Sequence, residues 1–188
     1  MKRKIVCIGN SNVNGFPHNR KICWVSLLRG RLGCEAINKG VNGDSAPGIL
    51  ARFERDVIAH RPDIAVILTG TNDFIMHGQD PESVMARYRD MAGLSLGNGI
   101  RPIFLVPVLT EPEQAAAAWF SDVDYGEVNG KLRELRGLML EYGREDGRVG
   151  VVDLQGSYSC GLVDGIHLTE EGHAAVAEML AAAVEALG

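Results

Sequence analysis

A serine near the start of the chain and an aspartate–histidine pair near its end have the residue types of a nucleophile and a general base. Ser11 follows the apolar run at residues 5–8, and Asp164 and His167 lie three residues apart. A serine hydroxyl becomes nucleophilic when a histidine takes its proton, and that histidine needs an acid to fix its tautomer. A solvated aspartate beside a histidine at a helix start would give the same local pattern. The three residues can act together only if the fold brings the two ends of the chain into contact.

Short apolar runs alternate with helical patterns along the whole chain. The runs predict five strands, at residues 5–8, 35–38, 64–68, 103–106 and 149–153. Apolar spacing and capping residues predict helices at about 24–32, 45–61, 80–97, 127–145 and 169–187. This alternation is typical of an α/β fold, a three-layer α/β/α sandwich around a doubly wound, five-stranded parallel sheet, and we expect flavodoxin-like strand order. No linker or internal repeat interrupts the pattern, so we expect a single domain over residues 1–188.

The loops after the first three predicted strands carry groups that could serve acyl transfer. Parallel strands all end at one edge of the sheet, where ligands bind in open α/β folds. Ser11 follows the first strand, Gly40 the second and Asn72 the third. Acyl transfer needs donors aimed at the oxyanion that develops on the attacked carbonyl. The Gly40 N–H and the Asn72 side-chain amide are suitable donors, although each residue alone is also common in turns.

Taken together, four segments resemble the sequence blocks of the SGNH (GDSL-type) hydrolase family. They lie in the family's order over nearly the whole chain: Gly9-Asn10-Ser11, residues 38–43, residues 62–73 and residues 164–173. The resemblance implies that Ser11 is the nucleophile, His167 the general base and Asp164 its orienting acid. It also implies an oxyanion hole formed by the Ser11 and Gly40 N–H groups and the Asn72 side chain, with no metal and no organic cofactor.

Asn10 departs from the family pattern, in which an aspartate precedes the serine. That aspartate is not the acid of the triad. Asparagine keeps its shape and its capacity for local hydrogen bonds, but it lacks the charge. We therefore expect altered electrostatics in this loop rather than an inactive enzyme.

Apolar side chains near these loops are candidates for an acyl or alcohol pocket: Phe74, Met76, Pro107, Trp119 and Phe120. Each could instead be a core or loop-anchoring residue. Residues 107–125 form the longest stretch without a helix or strand pattern, and long loops in compact domains are often functional, so this stretch is a candidate lid. Asp153, at the end of the fifth strand, is an alternative acid for His167. His173, two turns into the last helix, is expected to be structural.

Composition argues against several other classes of protein. The 188 residues are 46% hydrophobic and 23% charged, with a net charge of −5 and no basic footprint for nucleic acid. No apolar run approaches the ~20 residues of a membrane span, and the run that ends before Gly9 is too short for a signal peptide, so we expect a cytoplasmic protein. The cysteines have no metal-binding spacing and are expected to be reduced: Cys7, Cys23, Cys34 and Cys160.

We predict a small serine esterase that acts on a small-molecule ester with an acetyl or short acyl group, a carbohydrate ester being one candidate. Activity on longer acyl chains, as in lysophospholipases or thioesterases, is an alternative. A non-catalytic binding module on the same scaffold is another, and Asn10 is the feature that favours it. A flavodoxin-like electron carrier is a third, but the loop after the first strand lacks a Ser/Thr-rich run for binding phosphate.

Overall fold

The computed structural model of the chain describes residues 2–157 and 161–187, and a sheet of five parallel strands lies at its centre. The strands are β1 (Lys4–Gly9), β2 (Glu35–Gly40), β3 (Ile64–Leu68), β4 (Arg101–Val106) and β5 (Gly150–Asp153). Their order in the sheet is β2-β1-β3-β4-β5, and each neighbouring pair is parallel. All five predicted strands and the predicted flavodoxin-like order are confirmed.

The helices that connect and follow these strands differ widely in length. They are α1 (Ser11–Asn14), α2 (Trp24–Leu32), α3 (Ala46–Ala51), α4 (Phe53–Asp56), α5 (Thr71–Met76), α6 (Pro81–Gly97), α7 (Pro112–Ala118), α8 (Tyr125–Glu145), α9 (Leu154–Ser157) and α10 (Glu170–Glu185), with a 3-10 turn at Ile58–His60. Within residues 2–157 and 161–187, none of them is long and apolar enough to cross a bilayer.

Helices cover both faces of the sheet. Alternate residues of a strand point to opposite faces, so Val6 and Ile8 of β1 pack with helices α3, α6 and α8. Ile5 and Cys7 of the same strand pack with α2 and α10 on the other face. All five residues of β3 are buried, as expected for a central strand that is covered on both sides. The predicted three-layer α/β/α sandwich is therefore confirmed.

The structure corrects the sequence prediction in the short elements. Helices α1, α5 and α7 lie where the sequence pattern indicates loops, because four to seven residues are too few to reveal a helical period. Helix α7 begins at Pro112, a favoured first-turn residue, and continues through an alanine run. The predicted helix at 45–61 is divided into α3 and α4 at Arg52, whose guanidinium is paired with Asp44 and Asp56.

Three of the four cysteines are free thiols in the core. Cys7, Cys23 and Cys34 are buried, and burial raises the pKa of each, so the unreactive thiol form is favoured. Cys160 lies outside the described residues. The thiols at these three positions act as small apolar side chains of the layer formed with α2 and α10.

Candidate active site

Ser11 is the first residue of α1, directly beyond the carboxyl end of β1. Asn10 caps this short helix, because its Oδ1 accepts a hydrogen bond from the Asn12 N–H at 3.1 Å. The Asn10 side chain is buried. The N–H groups of a helix's first residues have no intrahelical acceptor, so the Ser11 N–H remains available to a ligand. The asparagine at this position thus makes the local hydrogen bond that was expected of it.

The opposite wall of the site is the turn before α10, which carries Asp164 and His167. Oδ1 of Asp164 accepts hydrogen bonds from the Ile166 and His167 N–H groups at 3.1 and 2.9 Å. Gly165 has a φ of +82°, which favours glycine, and a Cβ there would collide with the backbone of Ala115 in α7. The turn therefore holds the aspartate and the histidine in a fixed mutual orientation.

The side chains of Asp164, His167 and Ser11 form a continuous hydrogen-bonded series. His167 Nδ1 lies 2.7 Å from Asp164 Oδ2, and His167 Nε2 lies 2.8 Å from Ser11 Oγ. An ionised carboxylate can only accept, so Nδ1 carries the ring proton, and Nε2 of the neutral imidazole accepts from the serine hydroxyl. This arrangement allows His167 to take the proton of Ser11.

Asp164 is held in its ionised form by its hydrogen bonds. Burial disfavours the charge, but the hydrogen bonds from the backbone and imidazole of His167 outweigh it and lower the pKa of the carboxyl. An ionised Asp164 is the form that orients His167 and stabilises the imidazolium.

Two aromatic rings enclose the imidazole of His167. The Phe16 ring lies edge-on at 4.8 Å between centroids, and the Trp119 ring lies at 5.3 Å. The imidazole is buried as a result. Sequence reasoning missed Phe16, whose only signal is its place just after the Asn14-Gly15 turn that follows Ser11.

A cleft of about 200 Å³ opens between Ser11 and these aromatic side chains. Its walls are mostly apolar, and its lining residues are Ser11, Phe16, Asn42, Gly43, Asn72, Ile75, Met76, Trp119, Phe120, Ile166 and His167. Three of the predicted pocket residues are among them, namely Met76, Trp119 and Phe120. The other two do not line this cleft: Phe74 is buried in the core, and Pro107 borders a separate small void.

The three groups expected to bind the oxyanion are not all at the cleft. Gly40 is buried against α1, where a Cβ would collide with the backbone of Asn14, and its N–H donates to Asn38 Oδ1 at 2.9 Å. Gly43, in the loop that follows β2, lines the cleft with a φ of +76°. Asn72 lines it as well, and its Nδ2 donates one hydrogen to the Asp44 carbonyl at 2.9 Å while the other is left for a ligand.

The other candidate residues have different partners. Asp153, the alternative acid, binds Arg136 at 2.7 Å, so it does not orient His167. His173 is buried behind the site, and its Nδ1 accepts a hydrogen bond from the Trp24 N–H at 3.4 Å. Within residues 2–157 and 161–187, no group of three or more His, Cys, Asp or Glu side chains could hold a metal ion.

Solved structures with the same fold include two esterases. The carbohydrate acetylesterase Est24 from Sinorhizobium meliloti superposes with a TM-score of 0.88 at 21% identity, with all of both chains covered. The inhibitor-bound aryl esterase from M. smegmatis gives a TM-score of 0.87 at 21% identity, covering 99% of this chain and 100% of the esterase. At this level of identity, the likeness establishes the fold.

Sequence relatives match shorter portions. An acetylxylan esterase from Geobacillus stearothermophilus is 45% identical over 42 residues, which are 22% of this chain and 19% of the esterase. An uncharacterized lipoprotein from Bacillus subtilis (strain 168) is 28% identical over an alignment of 123 residues, and the alignment covers 56% of this chain and 49% of the lipoprotein. The chain thus spans less than half the length of either relative.

The family follows from a match that is much longer than either of these. Residues 7–175 match the GDSL-like Lipase/Acylhydrolase family, a range that includes the Ser11 segment, both loops of the cleft and the turn with Asp164 and His167. This chain therefore belongs to the GDSL-like lipase/acylhydrolase family.

Proposed function

We propose that the protein is a serine esterase that hydrolyses small carboxylic esters through an acyl-enzyme on Ser11. The observation that carries this proposal is the series from Asp164 through His167 to Ser11, with contacts of 2.7 and 2.8 Å. A nucleophile, a base and an orienting acid within hydrogen-bond reach of one another are what acyl transfer requires. A binding module has no need of all three.

In the proposed acylation step, Ser11 Oγ attacks the ester carbonyl carbon while His167 Nε2 takes the hydroxyl proton. The resulting imidazolium is stabilised by Asp164 and then gives its proton to the departing alkoxide, which leaves as the alcohol. Water deprotonated by His167 attacks the acyl-enzyme next, and the acid is released as Ser11 regains its proton. The buried setting of His167 between Phe16 and Trp119 supports this role, since charge interactions are stronger away from water.

Three donors are proposed to stabilise the oxyanion of the tetrahedral intermediates. They are the Ser11 N–H, the Gly43 N–H and the side-chain amide of Asn72, all of which belong to residues that line the cleft. Gly43 takes the place of Gly40 in this proposal because the Gly40 N–H is already bonded to Asn38. Fixed donors of this kind act where charge develops during the reaction.

The size of the cleft supports an acetyl or short acyl group. Its volume of about 200 Å³ is below the roughly 300–1,000 Å³ that is common for larger ligands. Met76, Trp119 and Phe120 lie at its wall and are 42–43% exposed, so the alcohol portion of the ester can extend into solvent. An acetylated carbohydrate is one such alcohol portion, and the similarity to the carbohydrate acetylesterase and the acetylxylan esterase supports it.

A panel of esters tests this proposal. We expect kcat/KM to be highest for p-nitrophenyl acetate or butyrate and roughly tenfold or more lower for the decanoate, because each added methylene must find room in the cleft. Acetylated xylo-oligosaccharides test the carbohydrate ester. The Ser11→Ala variant should lose activity on every ester. A preference for the decanoate would favour the lysophospholipase or thioesterase alternative, and no hydrolysis by folded wild type would favour a binding module.

A further inference from the structure

Asn12, the residue after the proposed nucleophile, is joined to the segment that carries the proposed base. Its Nδ2 donates to the Ile166 carbonyl at 3.2 Å, and its Oδ1 accepts from the Leu168 N–H at 3.1 Å. Ile166 and Leu168 are the two neighbours of His167 in the chain. A single side-chain amide therefore forms hydrogen bonds to the residues on both sides of His167.

The backbone of Asn12 is itself held in place by hydrogen bonds. The Asn12 N–H donates to the Asn10 side chain at 3.1 Å, and the Asn12 carbonyl accepts from Trp24 Nε1 at 2.8 Å. Asn12 is buried, so water does not compete for these bonds. Its backbone is fixed on the Ser11 side, and its side chain is fixed on the His167 side.

The two hydrogen bonds of the Asn12 side chain join the segment that carries Ser11 to the segment that carries His167. Ser11 and His167 lie 156 residues apart in the chain, and the Asp164 turn orients His167 only within its own segment. His18 adds one further contact from the first segment, through Nε2 to the Leu168 carbonyl at 3.0 Å. Of Asn12 and His18, only Asn12 forms hydrogen bonds to both neighbours of His167. It does so through the donor and the acceptor of one planar side-chain amide.

We propose that Asn12 is a positioning residue that sets the separation of Ser11 Oγ and His167 Nε2. The inference rests on the proposed function, because it concerns the proton transfer between those two atoms. Asn12 touches neither the substrate nor the reacting atoms in this role. It acts through His167, and its effect should vanish when the imidazole is absent.

A double-mutant cycle with p-nitrophenyl acetate tests this role. We expect Asn12→Leu, which keeps the number of side-chain heavy atoms but removes both hydrogen bonds, to lower kcat by about 10- to 100-fold with little change in KM, because a misplacement on the order of 1 Å has effects of that size. In the His167→Ala background, the same substitution should lower the residual kcat by less than about threefold. A purely structural role would give the same factor in both backgrounds.

A second variant and a control keep the test independent of folding. Asn12→Asp has the same shape and keeps the acceptor for Leu168, but it puts a carboxylate oxygen in place of the NH2 group that donates to Ile166. This variant is carried through the same cycle if Asn12→Leu does not fold. The control is Asn129→Leu, because Asn129 makes the same kind of paired bonds to the Thr110 N–H and carbonyl. Asn129→Leu should change kcat by less than about threefold, and by the same factor in the wild-type and His167→Ala backgrounds.

The outcomes separate this inference from the proposed function. If the loss of kcat is equal in both backgrounds, or if kcat of the folded Asn12 variants stays within about threefold of wild type, the positioning role is wrong while the proposed function stands. If Ser11→Ala and His167→Ala both leave kcat unchanged, the proposed function fails and the positioning role fails with it.

Discussion

Ser11 Oγ and His167 Nε2 lie 2.8 Å apart, although 156 residues separate them in the chain. The sheet topology explains the contact, because β1 lies between β2 and β3 and its carboxyl end lies at the edge where the following loops meet. Helix α10 packs against α2 on one face of the sheet, which brings the turn before α10 close to the end of β1. Both ends of the chain are needed to build this one site.

The orienting role of Asp164 predicts a large loss of rate from a small change. We expect Asp164→Asn to lower kcat by roughly 10³- to 10⁴-fold, because an amide can donate to Nδ1 and thereby favour the wrong imidazole tautomer. Circular dichroism should show a folded variant, since the amide oxygen can still accept from the His167 N–H. Asp153→Asn serves as the matched control, because Asp153 pairs with Arg136. A similar loss in both variants would contradict the assignment.

The proposed oxyanion role of Asn72 predicts a loss in kcat rather than in binding. Removing one donor of this kind is expected to lower kcat by about 10²- to 10³-fold in Asn72→Ala, with KM nearly unchanged. Asn98→Ala is the control, because the Asn98 amide donates to the Leu94 carbonyl near the end of α6. Steady-state kinetics on p-nitrophenyl acetate give kcat and KM. A rise in KM with kcat unchanged would contradict the role.

Trp119 is expected to limit the length of the acyl group. Its ring closes one side of the cleft and lies 6.2 Å from the ring of Phe16. We expect Trp119→Ala to raise the ratio of kcat/KM for the butyrate over that for the acetate by about tenfold, since room for a methylene is worth about that much. Leu94→Ala removes an equally exposed apolar side chain from α6 as the control. An unchanged ratio would mean that the acyl group lies elsewhere.

His173 predicts how stability depends on pH. Burial, followed by the charges of His18 and His167, lowers the pKa of His173 to about 4. Its Nε2 has no hydrogen-bond partner among the described residues. An unfolded histidine binds a proton below about pH 6.5, so between these two values the unfolded state binds more protons and stability falls as the pH falls.

The measurement compares His173→Gln with wild type by urea denaturation at pH 7 and pH 5. In wild type, we expect the free energy of unfolding that His173 contributes to fall by on the order of 2 kcal/mol from pH 7 to pH 5. This part of the pH dependence should be absent from His173→Gln. Glutamine is polar, has a length close to that of the imidazole and does not titrate in this range, which makes it the conservative replacement. Equal pH dependence in the two proteins would contradict the assignment.

The main fold was predictable because its signals are long or strong. The buried run of β3 indicates a strand covered on both faces, and the alternation of strands and helices fixes the fold class. Helices α1, α5 and α7 were not predicted, since short helices owe their stability to tertiary packing rather than to a visible period. At Arg52, where the predicted helix is divided, the guanidinium donates to the Lys39 and Gly9 carbonyls, contacts that the sequence does not reveal.

The residues of the proposed site could be grouped from the order of their motifs along the chain. Ser11, Asn72, Asp164 and His167 are brought together as the family resemblance implied. Gly40 ends β2 and Gly43 lies three residues later, and only their three-dimensional placement reveals which of the two glycines lines the cleft.

The pocket residues show a similar limit to sequence reasoning. Phe74, Ile75 and Met76 are consecutive in α5, yet Phe74 faces the core while the other two line the cleft. Because α5 was not predicted as a helix, the faces of these residues could not be assigned. Side-chain direction within a helix decides which of three neighbours meets a ligand.

The central claim is that Ser11 is an activated nucleophile, and reaction with a fluorophosphonate probe tests it most directly. Intact mass spectrometry of wild type should show one covalent adduct per chain, and Ser11→Ala should show none. An adduct of the same mass on Ser11→Ala, or no adduct on folded wild type, would contradict the account.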